Sequence, residues 1–314
     1  MKVTFPGKML LAIISRLTTA INIWSLTLWM GTMLITSLSQ AKDHDSFSKI
    51  NQIQTLLNIP HKNTPESMIQ ASSAWRRKPG VERWEMPEIK VSEETKVQVL
   101  QILTSLDIVN ELKPNKQHYD YVLLLGATIP RMQKRLNQVS RLWTEGVTSK
   151  QILFLTGERP LIQNIDHIDE LVKKTTGGNL SESARPLTET EGAKMIWISS
   201  PLPKSMKNTD CRFITYPRIW TDNQWQRPNT RNTLQQWVKS NPPAGSVLII
   251  SDQPHAAYQQ VVVQSELPDS FSTNLAAEAA DPHTSLAIYL DALALWLHNM
   301  TSKKELTPTP SITL

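Results

Sequence analysis

From residue 119 to residue 300, short apolar runs alternate with longer segments whose apolar positions recur every three or four residues. The runs 121–125, 151–156, 212–216 and 246–250 are bounded by turn residues and predict strands. Between and after them, the spacing predicts helices over 129–146, 189–198, 229–238, 255–264 and 285–300. Strands alternating with helices predict an α/β fold built on a parallel sheet. In such folds ligands bind beyond the carboxyl ends of the strands, where loops enter helices. The turns Gly126-Ala127-Thr128, Thr156-Gly157-Glu158 and Ser251-Asp252 then share one edge.

Before residue 119 the pattern is weaker. Residues 42–90 hold prolines, tryptophans and polar patches, with a short helix expected near 46–57 and an irregular extension around Trp75 and Trp84. Ser92 reads as an N-cap, with Glu93 and Glu94 in the first turn favourable to the helix dipole. The expected helix runs to about residue 112, with Val99, Ile102, Leu103, Leu106 and Val109 on one face, and Lys113-Pro114 ends it. At the other end, Asp281-Pro282 caps the last helix, whose Leu286, Leu290, Leu293 and Leu297 suit a sheet-facing stripe. Four regions result: a targeting segment over 1–41, a helical or irregular extension over 42–117, the α/β domain over 118–300 and a loose polar tail over 301–314.

The first 41 residues carry Lys2, Lys8 and Arg16 and no acidic residue, and residues 17–41 carry no charge. With Ser39-Gln40-Ala41 at its end, this segment has the positive, apolar and small-residue zones of a secretory signal. Its 25 uncharged residues also suffice for a membrane anchor across ~30 Å of hydrocarbon. Beside the plainer alternative of a buried helix in a soluble domain, cleaved signal and retained anchor are both open. Each places the rest of the chain outside the cytoplasm, because the positive charges stay inside.

The net charge of +5 belongs mostly to that segment: beyond residue 41 there are 30 basic and 28 acidic residues, a balance of +2. That balance argues against nucleic acid as a partner, since binders show a basic stripe. Arg76-Arg77-Lys78 is the one basic cluster, and it reads as a solvated loop. Cys211 is the single cysteine, so neither an intrachain disulfide nor a cysteine-based metal site is expected, and the residue reads as part of a strand.

The candidate chemistry lies on the expected ligand edge. Backbone N–H groups of Gly126, Ala127 and Thr128 would face an anion at a helix N-terminus. Arg131 and Arg135, four apart, put two guanidinium groups on one helix face, either for phosphate or carboxylate or simply for solvent. There is no G-x-G-x-x-G and no G-x-x-x-x-G-K-[ST], which leaves a standard dinucleotide or Walker site unsupported. Thr156 and Gly157 follow the second strand; Glu158 would orient Arg131, contact a ligand hydroxyl or form a plain ion pair. Glu191 lies in a first helical turn, where capping and catalysis both use a carboxylate. Asn229 caps the helix entered at Thr230, and Asn232 one turn later calls for a second reason, a ligand or a neighbouring loop. Ser251-Asp252-Gln253-Pro254-His255 gathers hydroxyl, carboxylate, amide and imidazole in five residues. His255 at a helix start would be held neutral by the dipole, a candidate acid or base with Asp252 or Glu191.

In order and spacing these elements resemble the SanA/ElyC-like envelope proteins, domain-of-unknown-function family 218, over about residues 118–265. The matching elements are Leu125-Gly126-Ala127 with Arg131, Thr156-Gly157, Glu191 with Met195, Asn229-Thr230-Arg231-Asn232, and Ser251 to His255. Where that family carries a last arginine, this chain has Tyr258, which removes a cation expected to face an anionic ligand. The resemblance implies a Rossmann-like, mostly parallel sheet flanked by helices, with an N-terminal helical extension. It also implies a periplasmic or inner-membrane-anchored protein of cell-envelope maintenance that handles a nucleotide-like, phosphorylated or lipid-linked anion; it implies no reaction, cofactor or metal. Three functions follow as expectations. The first is binding of a small anionic ligand by Gly126, Ala127, Thr128, Arg131, Thr156, Gly157, Glu158, Asn229, Thr230, Asn232 and Ser251. The second is hydrolysis or transfer on a phosphate ester or cell-wall precursor through His255, Asp252 and Glu191. The third is a non-catalytic envelope scaffold whose partner surface is the extension at Trp75 and Trp84.

Overall fold

The computed structural model describes residues 45–78, 80–178, 185–221 and 223–305, with the side chains of Trp84 and of 301–305 left out. The expected targeting segment and residues 306–314 lie outside the described residues. Among the described residues no helix is long and apolar enough to cross a membrane. The chain divides into two units, Met1–Met68 and Ile69–Leu314. In the described part of the first, helix α1 (45–56) is followed by a loop whose His61 contacts Asn51 Oδ1 and the Ile59 carbonyl. Helix α2 (Pro65–Ser72) crosses from the first unit to the second.

The second unit holds a five-stranded, all-parallel sheet: β1 (His118–Leu125), β2 (Thr148–Gly157), β3 (Asp210–Tyr216), β6 (Ser246–Asp252) and β7 (Ser272–Glu278). Their order is β3-β2-β1-β6-β7, a Rossmann-like α/β sheet. Two further strands, β4 (Ile219–Thr221) and β5 (Gln224–Gln226), pair only with each other as an antiparallel hairpin. The helices are α3 (Glu93–Ser105), α4 (Ile129–Thr144), the short α5 (Gln163–Asp166), α6 (Ile168–Thr176), α7 (Glu189–Ser199), the short α8 (Lys204–Lys207), α9 (Thr230–Val238), α10 (Ala256–Glu266) and α11 (Leu286–Glu305).

Strand alternation divides the core in two. Val122 and Leu124 of β1, with Ile152 and Phe154 of β2 and Leu248 and Ile250 of β6, pack with α4 residues Met132 and Leu136 and with Ile196 of α7. Tyr121, Leu123, Leu125, Leu153 and Ile249 face the other way, onto Leu234 and Trp237 of α9 and Val263 of α10. Burial on both faces explains why β1 and β6 read as unbroken apolar runs. Strand β1 is central, with β2 and β6 as its neighbours. The chain leaves it toward β2 and β3, then returns to its other side with β6 and β7. The order therefore reverses between β1 and β6, and their carboxyl ends open the crevice where such folds take ligands.

Several elements differ from the sequence reading. Helix α3 stops at Ser105 rather than near 112, because Asp107 takes a left-handed backbone and the Ile108 N–H turns back to the Leu103 carbonyl. Beyond it, Leu112 pairs with Ala277 of β7, a strand whose polar first half hid it from the pattern. The α11 stripe Leu286, Leu290, Leu293 and Leu297 is buried, but its main neighbours are α10 and the 3-10 turn Ser73–Trp75, not the sheet. Helix α11 also runs to Glu305, into the stretch expected to be a loose tail. Trp75 is only 6% exposed, so it does not offer the partner surface expected of it. Among the described residues the exposed aromatic pair is instead Trp220 and Trp225, at 56% and 57%, on the hairpin.

The core makes a direct prediction. Leu123→Ala, in the middle of β1 with no exposed surface, should lower unfolding free energy by about 2–5 kcal/mol in urea titrations. Ile198→Ala, at an exposed position on α7, should change it by no more than about 0.5 kcal/mol.

Candidate functional site

A cavity of about 790 Å³ opens at the carboxyl edge of the sheet. Its floor is the β1-to-α4 turn, Gly126-Ala127-Thr128, with Leu155 and Gly157 of β2 beside it. Arg131 and Arg135 enter from α4, Asn229, Thr230 and Arg231 from the start of α9, and Tyr258 and Gln259 from α10. The rim includes Arg227 after the hairpin and Arg76, Arg77, Glu82 and Arg83 from the extension.

A single buried carboxylate organises the α4 side. Asp252, the last residue of β6, accepts Arg131 Nε at 3.1 Å and Nη2 on Oδ2, and Arg135 Nε at 2.7 Å on Oδ1. Arg135 is 1% exposed and is used up internally: Nη1 donates to the carbonyls of Leu125 and Gly126, and Nη2 faces Gln259 Oε1 at 3.4 Å. The alternative of a solvated face therefore fails for Arg135, which ties α4 to the ends of β1 and β6. Arg131 is partly exposed, and among the described residues its Nη1 has no intramolecular acceptor. Burial alone would raise the Asp252 carboxyl, but Arg135 and Arg131 outweigh it and hold the group well below the usual carboxylate range. Ser251 is buried one residue earlier and donates its hydroxyl to Gln259 Oε1.

A second ionic cluster supports the β2 side. Arg159, just past β2, grips Asp166 with two hydrogen bonds, 2.8 Å and 2.7 Å, and donates Nε to Glu189 Oε2 at 3.1 Å. Asp166 also accepts the N–H groups of Ile129 and Ile162, so it caps the start of α4 through space. Burial would raise Asp166, but the hydrogen bonds from Arg159 and Ile162 bring it below its ordinary value. Glu189 shifts the other way: burial raises it, and Arg159 only partly offsets this. A Cβ built on Gly126 would stand 2.1 Å from Glu189 Oε1 and 2.6 Å from the Leu155 carbonyl, so only glycine lets this carboxylate reach the floor of the cavity.

The structure gathers Gly126, Ala127, Thr128, Arg131, Gly157, Asn229 and Thr230 around the cavity, with Asp252 and Ser251 directly behind Arg131 and Gln259. The floor offers fewer amides than expected. Gly126 donates to Leu155, Ile129 to Asp166, and Pro130 has no N–H, which leaves Ala127 and Thr128 without an acceptor among the described residues.

Other expected site residues lie outside the lining. Glu191 is exposed and completes a capping box with Thr188, accepting the Leu187 and Thr188 N–H groups. Asn232 completes the reciprocal box with Asn229, which supplies the second reason its position called for. Thr156 is buried against the Thr190 hydroxyl, and exposed Glu158 donates its N–H to Tyr216; Asp252, not Glu158, orients Arg131. His255 is 3% exposed and does not line the cavity. Its backbone N–H bonds the Asp252 carbonyl, its ring meets Tyr258 edge-on, and among the described residues Nδ1 has no partner. Burial first, then Arg131 and Arg83, hold the imidazole well below its ordinary pKa. Cys211 sits in β3 as expected, its thiol pushed up to about 12 by burial.

The sequence reading missed Arg159, Asp166 and Glu189 as a unit; Arg76 and Arg77 lie in a loop as expected, with Arg76 exposed, and that loop also lines the cavity. Arg83 fills a notable position. It donates to the Tyr258 hydroxyl at 3.0 Å, stands over that ring at 5.8 Å and pairs with Asp291 of α11. A guanidinium from the extension thus reaches Tyr258, the position at which the resemblance led to the expectation of an arginine. Among the described residues no three His, Cys, Asp or Glu side chains gather as a metal-holding cluster. Comparison with known proteins finds no protein-family model that matches the chain and no curated protein similar to it.

These shifts set a pH dependence. The unfolded chain takes up protons at His255 and then at Asp252 and Asp166 before the folded chain does, so acid favours unfolding at these three groups, while Glu189, raised in the folded chain, opposes this in part. Stability should fall first below about pH 6.5 and again below about pH 4, where free histidine and aspartate titrate. Each group contributes a slope of up to about 1.4 kcal/mol per pH unit. Urea titrations from pH 3 to pH 8 should show both stages, and His255→Gln should remove the first. Persistence of the first stage in that variant would contradict the assignment.

Proposed function

We propose that this chain is an exported or membrane-anchored envelope protein that binds a small anionic ligand, nucleotide-like or phosphorylated, at the carboxyl edge of its sheet. The observation that carries this reading is the charge of the cavity. Seven arginines line it, and the carboxylates paired with them are four: Glu82, Asp252, Glu266 and Asp291. One further lining carboxylate, Glu189, is held by Arg159. Guanidinium groups in a concave site favour phosphate and carboxylate through charge-assisted, paired hydrogen bonds. The volume falls within the ~300–1,000 Å³ of small-molecule sites, and the position at the strand-order reversal is where such sheets take ligands.

Within this reading Arg131 is the primary anion contact. Asp252 fixes its Nε and Nη2, so the planar group is oriented before a ligand arrives and little side-chain freedom remains to be lost. The Ala127 and Thr128 N–H groups add neutral donors at the same floor. Glu189, raised by burial, reaches the floor beside Gly126 as a hydrogen-bond partner for a ligand hydroxyl or protonated phosphate.

The test is thermal unfolding of the purified full-length chain with inorganic phosphate, nucleotides and sugar phosphates. A ligand at about 100 times its Kd should add roughly 2.7 kcal/mol. Arg131→Ala should abolish that gain while the unliganded protein still unfolds cooperatively. A panel without any shift, or an unchanged shift in Arg131→Ala, would overturn the proposal.

A further inference from the structure

At the mouth of the cavity, away from Asp252, one carboxylate stands between two arginines from different parts of the chain. Glu82 Oε2 accepts Arg77 Nη1 at 3.2 Å, and Glu82 Oε1 accepts Arg227 Nη1 at 2.7 Å. Arg77 belongs to the extension, whose backbone N–H is anchored to Asp291 of α11 at 3.0 Å. Arg227 belongs to the segment that joins the hairpin to α9. Glu82 is itself set by the reciprocal capping box with Glu85, which holds its backbone N–H at 2.7 Å. All three side chains are partly exposed and all three line the same cavity as Arg131.

Two guanidinium groups converging on the two oxygens of one carboxylate form the geometry that also receives a phosphoryl group. The other carboxylates paired with lining arginines are Asp252 at the end of β6, Asp291 on α11 and Glu266 on α10; Glu189 lines the cavity too, but its partner Arg159 does not. Asp252, Asp291 and Glu266 do not line the cavity, whereas Glu82 does. Its carboxylate therefore occupies a ligand-facing position, where an incoming anion could replace it. Partly exposed ion pairs of this kind hold weakly, so displacement costs little.

We infer that Arg77 and Arg227 form a second anion position, closed by Glu82 in the absence of ligand, and that the cavity takes molecules carrying two phosphoryl groups rather than one. This inference rests on the reading of Arg131 as the first anion contact, and it narrows the ligand class to diphosphates and longer phosphate chains. One phosphoryl group binds at Arg131; a second displaces Glu82 from Arg77 and Arg227.

Calorimetric titration of the purified full-length chain with orthophosphate, pyrophosphate and tripolyphosphate tests it. Wild type should prefer the two longer anions to orthophosphate. Glu82→Gln should tighten pyrophosphate or tripolyphosphate by about 2- to 5-fold, the scale of a weak, partly exposed ion pair, with orthophosphate nearly unchanged. Arg77→Ala combined with Arg227→Ala should reduce the preference for longer anions to near unity. Arg218→Ala, which removes a charge that stacks on Trp225 outside the cavity lining, should leave the preference intact. Equal preference in wild type, Glu82→Gln and the double variant would overturn the second position. If instead no phosphate species binds wild type, or Arg131→Ala binds them all unchanged, the failure belongs to the first anion contact and the second position falls with it.

Discussion

One carboxylate, Asp252, carries the geometry of the carboxyl edge. It ends β6 in a water-poor setting, where an unpaired charge would be costly, and two arginines from α4 satisfy it. Arg135 continues the connection to the last carbonyls of β1, so the neighbouring central strands and the helix after β1 are tied at one point. Because Arg135 is fully used by this task, Arg131 is left as the partner with hydrogen-bonding capacity toward the cavity. A structural ion pair and a ligand-facing cation are thus made from the same residue pair four positions apart.

The β2 side repeats the principle with the signs reversed. Arg159 lies between Asp166 and Glu189, and Asp166 spends its remaining capacity on the first N–H of α4. The two clusters meet at α4, one at its start and one along its inner face. Glycine at 126 completes the arrangement, since a side chain there would collide with Glu189 and with the backbone of β2. The cavity is consequently rigid at its floor and cationic at its walls. Its rim is built from exposed pairs that cost little to rearrange.

The extension before the sheet changes the chemistry of that rim. It contributes Arg76, Arg77, Glu82 and Arg83, and Arg83 meets Tyr258 where a cation was expected on α10. A guanidinium acts through its position in space and not through its place in the chain, so Arg83 sets a cation beside Tyr258 from a different segment. The same holds for His255, which lies at the expected edge yet sits behind the cavity, beneath Tyr258.

Much of the fold was legible in the residues themselves. Buried parallel strands must be apolar on both faces, so β1, β2 and β6 announced themselves, and the N-caps Ser92 and Asn229 marked helix starts through local side-chain hydrogen bonds. Such features depend on near neighbours, and the sequence by itself determined them: the α/β class, the loops at the carboxyl edge of the sheet, the glycine at 126 and the position of Arg131. Strand β7 escaped because its first half is polar, and the end of α3 because Asp107 adopts a left-handed turn that spacing does not reveal. Only the tertiary structure decided which charges meet. Arg135 with Asp252, Arg159 with Glu189, and Glu82 with Arg227 lie 117, 30 and 145 residues apart. Burial and distance between side chains so far apart arise only once the sheet has closed, and they separate a structural arginine from one that can meet a ligand.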